Sequence, residues 1–281
     1  MSETSKGDKK MKQPLFFIVF LSIILIGGFS GCVGPEVTET FNGVYPVDAL
    51  TILSVSNING AIEITGWNGN TVSVSAVKRS TSGDTGLRNT NISVTHTGNH
   101  LEIETKHTGQ QMIQSSVDYT IKIPYNTTIE SLTTTNGAIE VSHVKGNLTA
   151  TSTNGAIIIE NVNGVVSVTT SNGHIEVQNV TGIGNLRSSN AAVTAEIKSI
   201  QDNVDIETSN GAITIYVNPN LNATFEMTTS NAKIQLHEIS LNVTLMEDTH
   251  VIGTLGTDGH KLNIRTSNAQ IDIHRFAPSM T

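Results

Sequence analysis

Thr134-Thr135-Asn136-Gly137-Ala138-Ile139 is followed by Ser152-Thr153-Asn154-Gly155-Ala156-Ile157, then by Thr170-Ser171-Asn172-Gly173-His174-Ile175 and Ser188-Ser189-Asn190-Ala191-Ala192-Val193. These four asparagines stand 18 residues apart. Three further copies come at wider spacing: Thr208-Ser209-Asn210-Gly211-Ala212-Ile213, Thr229-Ser230-Asn231-Ala232-Lys233-Ile234 and Thr266-Ser267-Asn268-Ala269-Gln270-Ile271. A period of about 20 residues marks a solenoid, in which each unit covers its apolar face only by stacking on its neighbours.

After each asparagine the sequence usually alternates. Ile139 and Val141, Ile175 and Val177, Ile213 and Ile215, Ile234 and Leu236, and Ile271 and Ile273 are apolar, with a polar residue between the members of each pair. That two-residue period is a strand with one buried face. Ile157-Ile158-Ile159 breaks it, as a rung covered on both faces would. Asn-Gly or Asn-Ala supplies the corner, and the expected reason is tolerance of the left-handed conformation. A second short strand follows in each repeat, at Gly146–Ala150, Gly164–Val168 and Gly184–Leu186. Strand, turn, strand, turn predicts an all-β chain: a right-handed parallel β-helix (β-solenoid) of about 18–21 residues per turn. Seven coils at the spacing of parallel strands make a rod on the order of 35 Å.

Identical residues lie above one another in such a stack. Asn136, Asn154, Asn172, Asn190, Asn210, Asn231 and Asn268 are therefore expected to form a structural amide ladder. The alternative is a row of ligand-binding amides. The outward column Glu140, Ile158, Glu176, Thr194, Thr214, Gln235, Asp272 supports the register, because no two acids meet on consecutive copies.

Upstream, residues 1–31 read as a lipoprotein-type signal peptide. Lys6, Lys9, Lys10 and Lys12 precede an apolar run from Leu15 to Ile26, and Ser30-Gly31-Cys32 matches the end of a lipobox, although Phe29 stands where leucine is usual. Met11-Lys12-Gln13 would itself open a compact signal. Cys32 is the sole cysteine, and lipidation accounts for a lone cysteine in an exported protein. The alternative is an uncleaved membrane anchor. Residues 32–48 read as a tether, 49–130 as an irregular β-structured amino-terminal cap, and 131–276 as the solenoid, with Phe276-Ala277-Pro278 stopping its far end. Helical periodicity is not evident after residue 32.

Without residues 1–31 the chain has 16 − 4 = 12 Lys+Arg against 24 − 2 = 22 Asp+Glu, a net charge of −10. Nucleic-acid binders carry a basic stripe, so no nucleic-acid partner is expected.

A degenerate copy of the phrase, Ser56-Asn57-Ile58-Asn59-Gly60-Ala61-Ile62, precedes Gly66-Trp67-Asn68-Gly69-Asn70. With the strand ending at Ile123-Pro124, the Thr-Ser-Asn-Gly rungs and Gly253-Thr254-Leu255-Gly256, these features resemble the putative adhesin family of exported β-helical domains across residues 47–275. The resemblance implies a β-helix on the cell surface and offers no catalytic residues.

Function is read accordingly. The expectation is a non-catalytic module held to the outer face of the cell membrane by lipid on Cys32, with a cell-surface glycan or protein as partner and no cofactor. The alternative is a carbohydrate-active β-helix enzyme, a polysaccharide lyase or a glycosidase, which needs carboxylates across a cleft. Eighteen-residue rungs leave little chain for cleft walls. Asp205 and Glu207, with Asp202 nearby, form a small acidic patch that reads as solvated surface, so no catalytic residue is assigned. His96 and His100 flank a turn instead of sharing a helix face, and Asp258-Gly259 stands alone, so no metal site is assigned. Six N-glycosylation acceptors occur, at Asn91, Asn126, Asn147, Asn179, Asn222 and Asn242.

Overall fold

A computed structural model describes residues 22–24, 36–48, 50–108, 114–257 and 259–276. Cys32, its lipobox and most of the signal segment lie outside the described residues. The described residues are all-β, apart from one short helix among them.

The local unit is visible in strands β10 (Ile139–Ser142), β11 (Leu148–Ser152), β12 (Ile157–Thr170) and β13 (Ile175–Arg187). β10 pairs in parallel with the start of β12, and that segment pairs with the start of β13, so Ile139, Ile157 and Ile175 lie in one column. β11 pairs in parallel with the second half of β12. Each circuit is therefore strand, corner, strand, Asn-Gly turn. Alternation places one face of every strand inside: Ile139, Val141, Ile157, Ile159, Ile175 and Val177 are all buried. A fully buried Ile or Val contributes roughly 1.5–3 kcal/mol, so the core stabilises every coil through its neighbours.

The pattern continues through β14 (Val193–Ile197), β15 (Val204–Glu207) and β16 (Ile213–Val217). Next in the chain come β17 (Ala223–Thr228), β18 (Ile234–His237), β19 (Asn242–Met246), β20 (His250–Leu255), β21 (His260–Arg265) and β22 (Ile271–Arg275). Chain order and stacking order part company here. β21 lies between β15 and β17, and β22 lies between β16 and β18. The last coil is thus slotted into the stack. Among the described residues the far end is formed by β17/β18 and the antiparallel strands β20 and β19; of the expected stop, Ala277-Pro278 lie outside the described residues.

The amino-terminal end is built the same way. Strands β3 (Ile52–Ser56), β4 (Ile62–Trp67), β5 (Thr71–Ser80), β6 (Thr90–Thr97), β7 (His100–His107), β8 (Ser115–Pro124) and β9 (Thr128–Thr134) follow one another. β3 lies between β7 and β9, and β4 between β8 and β10, all in parallel. The first coil is again slotted between two later ones. β5 and β6 turn antiparallel against β8 and β7 and close that end. The region expected as an irregular cap therefore contributes two regular coils as well as capping strands.

Three further expectations are corrected. Most of the expected tether is a strand, β2 (Val37–Pro46), paired along its whole length with β5, because Val44 and Pro46 face out while Gly43 and Tyr45 face in. β1 (Ser22–Ile24) runs antiparallel beside its start. Helical periodicity is not evident after residue 32, yet a helix, α1 (Gly83–Arg88), forms there, too short to show a period. Finally, the Asn-Gly and Asn-Ala turns of the seven repeated copies do not use the left-handed region, whereas Gly60 of the degenerate copy takes a positive φ of 108°. Positive φ falls instead on the opposite corner, at His143, Asn161, Asn179 and Glu238.

Candidate functional site

The repeated phrase places three kinds of side chain on one edge of the stack. Its first residue is buried: Thr134, Ser152, Thr170, Ser188, Thr208, Thr229 and Thr266 are each under a tenth exposed. The Ser152 hydroxyl donates to the Gly137 carbonyl of the preceding coil at 3.0 Å and accepts the Gly155 N–H at 2.9 Å. Thr170 repeats both bonds with Gly155 and Gly173. One hydroxyl thus closes its own turn and fastens it to the coil beneath. Glycine follows the asparagine because the backbones nearly touch: a Cβ on Gly155 would lie 1.7 Å from the Gly137 carbonyl oxygen.

The asparagines form a continuous exposed column. Asn154 donates from Nδ2 to Asn136 Oδ1 at 2.6 Å, Asn172 to Asn154 at 2.7 Å and Asn190 to Asn172 at 2.6 Å. Asn210 donates to Asn190, Asn268 to Asn210 and Asn231 to Asn268, each at 2.7 Å. All seven expected asparagines are in the column, with Asn268 ahead of Asn231 because the last coil is slotted in. An eighth member, Asn59, accepts from Asn136 at 2.5 Å and donates to the Ser115 carbonyl at 3.1 Å. Sequence reading left it out of the column, since Asn57-Ile58 stand where the other copies carry a Ser/Thr pair. Every amide points the same way, and such chains of aligned dipoles reinforce one another.

Beside the amides runs the middle residue of the phrase. Ser171, Ser189 and Ser209, with Arg187, Glu207 and Arg265, line a shallow cleft of about 460 Å³. Arg187 bonds Asp205 at 3.0 Å and lies 3.7 Å from Glu207, and Asn263 donates to Asp205 at 3.1 Å. The Asp205–Glu207 pair therefore shares one strand face, as expected, and is matched by an arginine.

The opposite corner carries a second polar column. Asn179 donates to Asn161 and accepts from Lys198, while Thr181 donates to Asn163 at 3.1 Å, around a groove of about 420 Å³. Its signal was present in the sequence: Asn161 and Asn179 are 18 residues apart. Near the far end the Tyr216, His274 and His237 rings stack, with centroids 5.1 and 4.3 Å apart. His237 Nε2 lies 3.1 Å from the largely buried Asp272 carboxylate, which also accepts from Gln270. His96 and His100 flank the β6–β7 turn, as expected.

The acids of the outward column are closer than sequence order suggested. Glu63 and Glu140 are direct neighbours, because the first coil lies beside the β9/β10 coil. Among the sequons, Asn91 lies in β6, Asn242 in β19, Asn126 in the turn after β8, and Asn179 in the second polar column. Asn147 and Asn222 accept from Val165 N–H and Thr257 N–H.

Solved structures of similar outline exist at low identity. A putative adhesin from Bacteroides fragilis NCTC 9343 is 11% identical, with 83% of this chain and 96% of that one covered at a TM-score of 0.46. A putative cell adhesion protein from Clostridium sporogenes ATCC 15579 is 12% identical, covering 84% and 99% at 0.34. A putative lipid binding protein from Parabacteroides distasonis ATCC 8503 is 12% identical, covering 85% and 97% at 0.39. No curated protein sequence matches the chain. The model of the family described as Toastrack DUF4097 matches residues 114–274, more than half of the 281 residues, and the chain belongs to that family.

Proposed function

We propose that this chain is a non-catalytic module of the cell surface, held to the outer face of the cell membrane by lipid on Cys32. It presents the amide–hydroxyl edge of a right-handed β-helix to an extended cell-surface glycan or protein. The observation that carries this reading is the paired column of asparagines and Ser/Thr hydroxyls, exposed and in register from coil to coil. An extended polymer laid along it meets the same donors and acceptors at each step, roughly every 4.8 Å. Right-handedness is supported by the hand that parallel crossovers adopt, and anchoring by Ser30-Gly31-Cys32 after an apolar run. A net charge of −10 after residue 31 favours partners other than nucleic acid.

A glycan array probed with the chain lacking residues 1–31 tests the partner. Specific retention without product release supports the proposal, and release of shortened glycans overturns the non-catalytic part. Mass spectrometry of the mature amino terminus tests the anchor. Lipid on Cys32 is expected, whereas residues 15–26 still attached to an unmodified Cys32 would replace it by a membrane-spanning segment.

A further inference from the structure

Backbone pairing, parallel through the coils and antiparallel at both ends, carries one continuous ladder of strands from β6 through β7, β3, β9, β11, β12, β13, β15, β21, β17 and β20 to β19. Among the described residues, β6 pairs only with β7 and β19 only with β20, so each leaves one backbone edge unpaired. An unpaired edge is a template for another chain's strand. The second ladder is guarded differently. Its far edge, β18, is four residues long, and the Asp248 carbonyl accepts from Ile234 N–H at 2.9 Å. At its near end β1 lies along β2.

Neither β6 nor β19 has a covering loop among the described residues. Each instead carries a sequon: Asn91-Ile92-Ser93 in β6 and Asn242-Val243-Thr244 in β19. Both asparagines are exposed, and neither side chain has a hydrogen-bond partner among the described residues. Asn179 is the contrast, since both its amide nitrogen and its oxygen are engaged in the column with Asn161 and Lys198. β19 has the greater need of cover, because Val243 and Met246 are 37% and 61% exposed on it.

We propose that Asn91 and Asn242 are N-glycosylated and that the two glycans seal the two open edges of this ladder against strand addition by a second chain. In the transfer, the asparagine Nδ2 forms a bond to the anomeric carbon of a lipid-phosphate-linked oligosaccharide. The carbon–oxygen bond to the phosphate breaks, the phosphate leaves on the lipid carrier, and Nδ2 gives up one proton to the leaving group or solvent. A bulky hydrated polymer on an edge strand excludes a partner backbone without disturbing the pairing on the strand's inner side. The proposal rests on the extracytoplasmic placement above, since the donor is used outside the cytoplasm.

The test begins with full-length protein from its own cells. Peptide mass spectrometry should find a glycan on Asn91 and on Asn242, and protease added to intact cells should reach the protein. Protein that the protease reaches but that is bare at both positions overturns glycosylation and leaves the surface placement standing. Protein that is bare and shielded overturns both. The sealing role is tested with two double variants, N91Q/N242Q and S93A/T244V. Each removes both sequons, and the second keeps the asparagines. Light scattering should show both shifting from monomer to at least twice the mass as concentration rises. S93T, which keeps its sequon, should stay monomeric. Oligomers from the first variant alone, or monomers from both, would overturn edge sealing.

Discussion

At the scale of single residues, the turn is held by a hydroxyl more than by the amide that makes the repeat conspicuous. Ser152 is 2% exposed and joins two coils, whereas Asn172 is exposed and bonded within its column. Ser152→Ala leaves a buried carbonyl and a partly buried N–H unpaired and should cost about 1–3 kcal/mol by urea titration. Asn172→Leu should cost under about 1 kcal/mol, because water replaces the lost bonds. Gly155→Ala drives a Cβ into the Gly137 carbonyl and should cost at least about 1–3 kcal/mol in the same titration. Tyr119 carries an alkaline limit. Burial pushes its phenol up to about 12, against a modest opposing contribution from its hydrogen bond with Thr105 at 2.7 Å. The unfolded chain therefore ionises first. Stability from this group is complete below pH 10 and is lost as pH rises from 10 towards 12. A melting-temperature series should show that decline and its loss in Tyr119→Phe. The asparagines were legible in sequence because they recur in an unmistakable phrase. The hydroxyl's two bonds were not, since their partners are backbone atoms that any sequence would supply.

At the scale of elements, alternation revealed the strands, and its interruption hid what lies between them. β2 was read as a tether because Gly34-Pro35 precede it and Pro46 ends it, yet its ten residues align with β5. A charge pair within that alignment holds it: Lys78 bonds Glu39 at 2.7 Å and donates to the Thr90 carbonyl at 3.1 Å and the Leu87 carbonyl at 3.4 Å. Lys78 thereby ties β2, α1 and β6 to β5. Lys78→Ala should cost about 3 kcal/mol, somewhat relieved by the 20% exposure of Glu39. Hydrogen exchange in Val37–Pro46 should accelerate before that of the central coils. Glu39→Gln should cost less, since the lysine keeps its two carbonyl acceptors. The left-handed corner at His143, Asn161 and Asn179 escaped notice because the asparagine match spans only two coils, with His143 in the third.

At the scale of the whole molecule, the sequence revealed the coil and not the order of coils. A phrase that fits every slot in the stack carries no mark of which slot it takes, so Thr266–Ile271 read as the end when it lies between the β15/β16 and β17/β18 coils. Deletion of residues 260–281 consequently removes a middle layer. The expected result is loss of cooperative unfolding in circular dichroism instead of a stack one coil shorter. Amides of β21 and β22 should exchange as slowly as those of β13, despite their place near the end of the chain.

The slotted coils also set a timetable. When Ile52–Trp67 leaves the ribosome, neither of the layers that will flank it has been made, and they are complete only once residue 142 has emerged. The closing coil finds its place last, between layers translated before it. Residues 128–217 can wind in the order they are synthesised, while both ends wait for later chain. Birth order and position in the stack therefore run differently: the oldest coil stays unpaired until its later neighbours are made, and the youngest enters between layers that already exist.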